Sequence, residues 1–274
     1  MQSTGLHFKG FALDTVIAAI TQGRPYRHLM GFTQQEASRA TRDTKHNTPL
    51  RTGSYPLMDW GWTRERAVRY LEDTYHETWI KSACTYCPFA LATEAGREST
   101  VAQFVADPHA GLLALAMEFT ATCLNPTQGL INGKRLLTLL RHSPGTAEVL
   151  RMFDEYLTAV PWAVYDVRRT FTPRSDGRFN HARAVKILHT GTGAAMRACL
   201  REHARATGTA IIRGDSRFPD DQHPRLWVRH RDHTMSTVAD AEHFVTVSPA
   251  TAITKTGPAF PTAWAAAAQF QLAV

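Results

Sequence analysis

The spacing of apolar residues changes character once along this chain, near residue 160. That change restricts the fold more than any other feature. Before it, apolar residues recur at helical spacing; after it they alternate, as in strands half-buried in a sheet. Residues 11–22, "FALDTVIAAITQ", predict a helix that "GRP" at 23–25 stops. Residues 26–32, "YRHLMGF", predict a short strand, and the polar segment 33–54 a loop with one helical turn near 36–42. "YPLMDWGW" at 55–62 is an apolar, aromatic element. Thr63 is a fit N-cap for a helix over 63–75, whose apolar face is Ala67, Val68, Tyr70 and Leu71. Residues 88–108 and 109–126 predict two helices closed by Pro108 and Pro126, because proline lacks an amide to donate and clashes with the preceding turn. Two more helices follow, over 133–143 and 145–160.

Beyond 160 the segments 162–173, 183–191, 209–215, 225–232 and 243–249 carry strand-like alternation or β-branched residues. A helix over 193–208 lies among them, and another over 259–271 ends the series. The expectation is an α/β to α+β chain with a mostly helical middle. Its boundary lies near 160: residues 1–160 form one part and residues 161–274 a small α+β module.

Composition narrows the function classes. The 274 residues carry 31 Lys and Arg against 24 Asp and Glu, a net charge of +7. That balance favours anionic partners: nucleotides, phosphorylated substrates or nucleic acid. No apolar run reaches the ~20 residues that span a bilayer, and the N-terminus lacks a secretory pattern. A cytoplasmic chain without membrane partners is expected. Four cysteines in this length are not a disulfide scaffold.

Two of those cysteines, Cys84 and Cys87, stand together in "WIKSACTYCPFA" at 79–90. A C-x-x-C turn aims both sulfurs at one ion, so zinc or an iron–sulfur cluster is one reading. A redox dithiol is the second, with Pro88 at a first helical position and a helix N-terminus lowering a thiol pKa. Burial of two small side chains between Trp79 and Phe89 is the third. Further ligands for a metal would come from Cys123, Cys199, His76 or His109, none of which forms a second close pair.

A longer pattern surrounds the pair. Gly31, Glu36 and Arg39 form a Gly-hydrophobic-x-x-x-Glu-x-x-Arg segment. Pro56, Leu57, Asp59 and Trp60 follow, then Tyr70 and Leu71 at a helix end, then Lys81, Ser82, Ala83, Cys84, Cys87, Pro88 and Phe89. In this order the chain resembles the phosphoadenosine phosphosulfate (PAPS) reductase family of the adenine nucleotide alpha-hydrolase-like, or PP-loop ATP pyrophosphatase, superfamily. The likeness is greatest to phage and actinobacterial members and covers roughly residues 5–130. It implies a remnant of that fold, the C-terminal half of its core, over residues 1–160. It implies adenine nucleotide as substrate and adenylyl or sulfur-transfer chemistry of a transferase or oxidoreductase type. It also implies a ligand or site-lining role for Cys84 and Cys87. Arg39 and Arg42 would offer guanidinium forks to phosphate or sulfate, with Glu36 orienting Arg39, or the three would form a solvated charged turn. Trp60 and Trp62 would border an adenine or pack in the core.

The chain departs from the family in three places. No Ser-Gly-Gly-x-Asp-Ser phosphate loop occurs, so the nucleotide half would come from an upstream segment or a companion chain, or be lost, and catalysis by this chain alone is expected to be weak or absent. No cysteine follows Cys199, so the C-terminal nucleophile of PAPS reduction is missing. Thr4 stands where relatives often place a further cysteine. Missing core strands would leave a sheet edge that favours a homo-oligomer.

Two features lie outside the resemblance. "HTGTGAA" at 189–195 has the outline of a strand-to-helix phosphate cradle, and equally of a plain helix cap. Arg197, Arg201, Arg205, Arg213, Arg225, Arg229 and Arg231 form a basic run. It suggests the alternative class: a metal-stabilised nucleic-acid-binding or assembly module without catalysis.

Overall fold

The computed structural model describes residues 4–77, 87–214, 218, 220–231, 238–250 and 254–269. The chain divides into two compact units, Met1–Ser82 and Ala83–Val274.

The first unit runs α1 (Thr4–Thr21), β1 (Tyr26–Leu29), a 3-10 turn (Gln34–Glu36), α2 (Ala37–Asp43), a second 3-10 turn (Thr44–His46), β2 (Arg51–Ser54), α3 (Pro56–Asp59) and α4 (Arg64–Tyr75). β1 and β2 are parallel, with Tyr26 opposite Arg51 and Leu29 opposite Ser54. A tight hairpin cannot join parallel strands, so the chain crosses over through α2. Polar bonds hold β2 in place. The Arg51 guanidinium bridges both Asp43 oxygens at 3.0 Å and donates to His28 Nδ1 at 3.2 Å. The Tyr55 hydroxyl donates to the same carboxylate at 2.8 Å. α4 begins as its sequence indicates: Thr63 Oγ1 accepts from the Arg66 amide at 3.3 Å. It ends at His76 in the left-handed region, φ 54°.

The second unit opens with four helices: α5 (Glu94–Ala106), α6 (Pro108–Leu124), α7 (Leu136–Arg141) and α8 (Ala147–Ala159). Pro108 does more than stop the helix before it. It is the first residue of α6, where its missing amide costs nothing, and Asp107 caps that end by accepting from the Ala110 amide at 3.2 Å. Leu91, Phe104, Leu115, Leu136, Leu140, Val149 and Phe153 form the helical core.

The strands follow: β3 (Trp162–Pro173), β4 (Phe179–Gly191), β5 (Ile211–Arg213), β6 (Pro224–Arg229), β7 (Asp240–Pro249) and β8 (Lys255–Thr256). They make one antiparallel sheet in the order β5-β6-β7-β3-β4-β8. The alternation in β3 sorts its residues. Trp162 and Val164 enter one core with Leu226, Val245 and Val247, beneath α9 (Gly193–Thr207) through Met196 and Leu200. Ala163, Tyr165 and Val167 enter another with Trp227 and Phe244. α10 (Phe260–Gln269) lies against β3, β4 and β7.

The chain is thus a mixed α/β structure of the α+β class. Residue 160 marks the passage from helices to sheet, yet both sides of it belong to one compact unit. Phe119 and Leu157 explain why: each packs against the helical core and against the core under the sheet.

Candidate functional site

Glu36, Arg39 and Arg42 follow one another in the first unit, Glu36 at the end of the first 3-10 turn, Arg39 in the first turn of α2 and Arg42 in its last. Glu36 closes a capping box with Thr33, whose amide donates to Glu36 Oε2 at 3.2 Å. Arg39 pairs with Glu36 and stacks over Phe32, 4.7 Å from the ring centroid. Burial pushes the Glu36 carboxyl up, but the Thr33 amide and the Arg39 guanidinium outweigh it and hold it below its ordinary range. Arg42 donates to the Ser38 carbonyl one turn back at 3.1 Å. The three serve the local structure, and Arg39 and Arg42 both stay exposed to solvent. Trp60 and Trp62 are neighbours at 5.6 Å, with Trp60 largely exposed and Arg66 over Trp62.

Cys84 lies outside the described residues. Cys87 is a free, half-buried thiol just before the turn that leads to α5. Among the described residues no three His, Cys, Asp or Glu side chains are grouped to hold a metal ion.

The most developed site belongs to the second unit. A cavity of about 300 Å³ lies among α6, α7, α8, the start of β3 and the segment before β6. One wall is apolar and aromatic. Phe119 meets Phe153 edge-on at 5.5 Å, Trp162 at 6.1 Å and His223 at 4.6 Å. The other wall is charged: Arg135, Arg141, Arg197 and Arg213 on one side of the balance, Glu118, Asp154, Asp220 and Asp221 on the other.

The buried acids are already committed. Glu118 accepts from the backbone amides of Leu130 at 2.8 Å and Leu136 at 2.6 Å, so it anchors the loop that enters α7. Burial raises its pKa, opposed by those two amides and Arg135. Asp221 accepts from Arg225 at 2.7 Å and pairs with Arg135 at 3.3 Å. Arg225 is fully buried, and its other arm donates to the Thr122 carbonyl at 2.6 Å, tying β6 to α6. By contrast, Arg141, Arg197 and Arg213 are exposed and form no ion pair among the described residues; Arg197 lies over the Trp162 ring at 5.1 Å. Their donors are open to an anion.

His223 sits between the two walls with both ring nitrogens satisfied. Thr122 Oγ1 donates its one proton to the Glu118 carbonyl at 2.8 Å, so it accepts from His223 Nε2 at 2.9 Å. Nδ1 is then bare and faces the Cys123 thiol at 3.3 Å. Burial drives the His223 pKa down to about 4, with Arg225 and Arg135 adding to the effect and Asp221 opposing it. Burial likewise pushes the Cys123 thiol up to about 12. The pair is a neutral imidazole and a neutral thiol, not an activated nucleophile.

The two features outside the resemblance are placed as follows. After "HTG", Thr192 caps α9 by accepting from the Ala195 amide at 3.3 Å, and Gly193 lets the helix start against Trp162: a Cβ there would stand 3.0 Å from the indole nitrogen. The basic run does not form one face. Arg225 is buried, Arg229 pairs with Asp240 at 3.0 Å, and Arg231 lies over Phe171 and Phe179. Arg197, Arg201 and Arg205 remain exposed along α9.

Sequence reasoning missed Glu118, Arg135, Arg141, Asp221 and His223. One signal pointed to them: "DDQHPR" at 220–225 packs acid, imidazole and guanidinium groups directly before an apolar strand. Comparison with known proteins adds no neighbour: no protein-family model, curated protein or solved structure matches the chain.

Proposed function

We propose that the chain binds an adenine nucleotide or a related phosphorylated small molecule in the cavity of the second unit. The observation that carries this is the pairing of an aromatic wall with three uncommitted arginines around about 300 Å³, at the lower end of the range for small-molecule sites. A planar base packs on Phe119, Phe153 and Trp162, and the anionic group meets Arg141, Arg197 and Arg213. His223, neutral and committed to Thr122 and Cys123, forms part of the cavity wall and does not titrate near neutral pH.

The resemblance to the PAPS reductase family supports the nucleotide class, and the parallel β1–β2 pair with its helical crossover is the kind of unit α/β nucleotide-binding folds use. On this reading residues 1–160 derive from the C-terminal half of that core. Adenylyl or sulfur transfer would need the phosphate loop from another segment or chain, so the isolated chain binds without turnover.

Isothermal titration with AMP, ATP and PAPS tests the reading. At least one of them binds the wild type, and Arg141→Ala with Arg197→Ala weakens it at least about tenfold. Absence of binding by all three removes the proposal.

The exposed arginine row of α9 favours a second reading, a metal-stabilised nucleic-acid-binding module with Cys84 and Cys87 as zinc or iron–sulfur ligands. Metal analysis and the salt dependence of DNA or RNA binding separate it from the first.

A further inference from the structure

We infer that the second unit carries another anion site, a cavity of about 430 Å³ walled by Arg97, Arg135 and the turn over residues 129–133, whose ligand is a tetrahedral oxyanion, free or carried on a larger molecule. The described lining contains two guanidinium groups and no carboxylate, unlike the first cavity, where acids and arginines balance. Arg97, half-buried on α5, gives one bond to the Leu91 carbonyl at 3.3 Å and has no ion-pair partner among the described residues.

Arg135 is 5% exposed. Its Nη2 reaches the Pro126 carbonyl at 2.8 Å and Asp221 at 3.3 Å, while its buried Nε has no hydrogen-bond partner among the described residues. The surroundings are built for that guanidinium. Phe218 lies 4.8 Å from it and fixes its plane. Gly129 lets the turn pass close by, since a Cβ there would stand 3.1 Å from Nη1. Asn132 adds a neutral amide donor to the wall. Two guanidiniums with an amide donor match the several acceptor oxygens of phosphate or sulfate.

Arg135 borders both cavities, but Arg97 borders only this one and Arg141 only the other. The inference therefore stands apart from the proposed nucleotide site. Thermal unfolding in potassium phosphate is compared with potassium chloride at equal ionic strength, for wild type, Arg97→Gln and Arg141→Gln, with AMP as a second ligand. Phosphate stabilises the wild type and Arg141→Gln, and its apparent dissociation constant rises about tenfold in Arg97→Gln. If Arg97→Gln weakens phosphate alone, the site takes a free oxyanion; if it weakens AMP as well, the oxyanion arrives on a nucleotide. Equal behaviour of phosphate and chloride on the wild type, or phosphate stabilisation lost in Arg141→Gln and kept in Arg97→Gln, overturns the inference. Should Arg97→Gln unfold in chloride, Asn132→Leu at the exposed turn serves as the probe, with the same expected loss.

Discussion

His223 ties the protonation state of the second unit's cavity to the stability of the fold. Its pKa falls to about 4 in the folded chain, against an ordinary value of 6.5. Between those values the unfolded chain holds more protons, so the contribution of His223 to stability is complete above about pH 6.5 and is lost as pH falls toward 4. The shift corresponds to roughly 3 kcal/mol at most. Glu118 works in the opposite direction, because its raised pKa makes burial of the carboxyl less costly as pH falls. Asp221, Arg225, Arg135, Thr122 and Cys123 surround the ring, which is largely removed from solvent. Urea unfolding at about pH 7 and pH 5 measures the effect. The wild type loses stability on acidification, and His223→Gln loses distinctly less across the same window. An unchanged slope in the variant excludes His223 as the source.

At the scale of elements, local chemistry is what the sequence states most clearly. Thr63, Thr192 and the β3 alternation each announce their element, and the structure carries all three. β2 and β8 were not legible. Arg51–Ser54 has no apolar alternation, and its place depends on Asp43 and Asn47 from an earlier turn. β8 is two residues long and pairs through backbone with Ala184 and Val185. The start of α5 offers a test of close packing. A Cβ on Gly96 would stand 1.9 Å from the Ala90 carbonyl oxygen, which a rotamer change cannot relieve because the atom belongs to the main chain. Gly96→Ala therefore destabilises the chain by about 1–3 kcal/mol despite the better helix propensity of alanine. Chemical denaturation reads the difference, and a gain in stability would show that the turn before α5 is free to move.

The whole molecule explains why the site was harder to read than the fold. Glu36, Arg39 and Arg42 are spaced three apart along one short helical stretch, so their proximity is visible in sequence. The cavity draws on residues from Leu115 to Val247, brought together only when α6 and α8 lie against the sheet. Nothing in local spacing encodes that arrangement. The same packing predicts how the chain tolerates cutting. Residues 83–274 share a core through Phe119 and Leu157, so that fragment unfolds in one cooperative transition. Residues 161–274 alone leave Trp162, Val164 and Val247 without the helical cover of Phe119 and Leu157, and they aggregate or give a broad transition. Calorimetry on the two fragments distinguishes these outcomes.

The central claim is the position of the ligand, and a crystal structure of the chain with AMP tests it most directly. AMP density is expected in the second unit, with the base against Phe119 and Trp162 and the phosphate at Arg141 and Arg197. Density on Arg39 and Arg42 in the first unit, with the cavity empty, would contradict it.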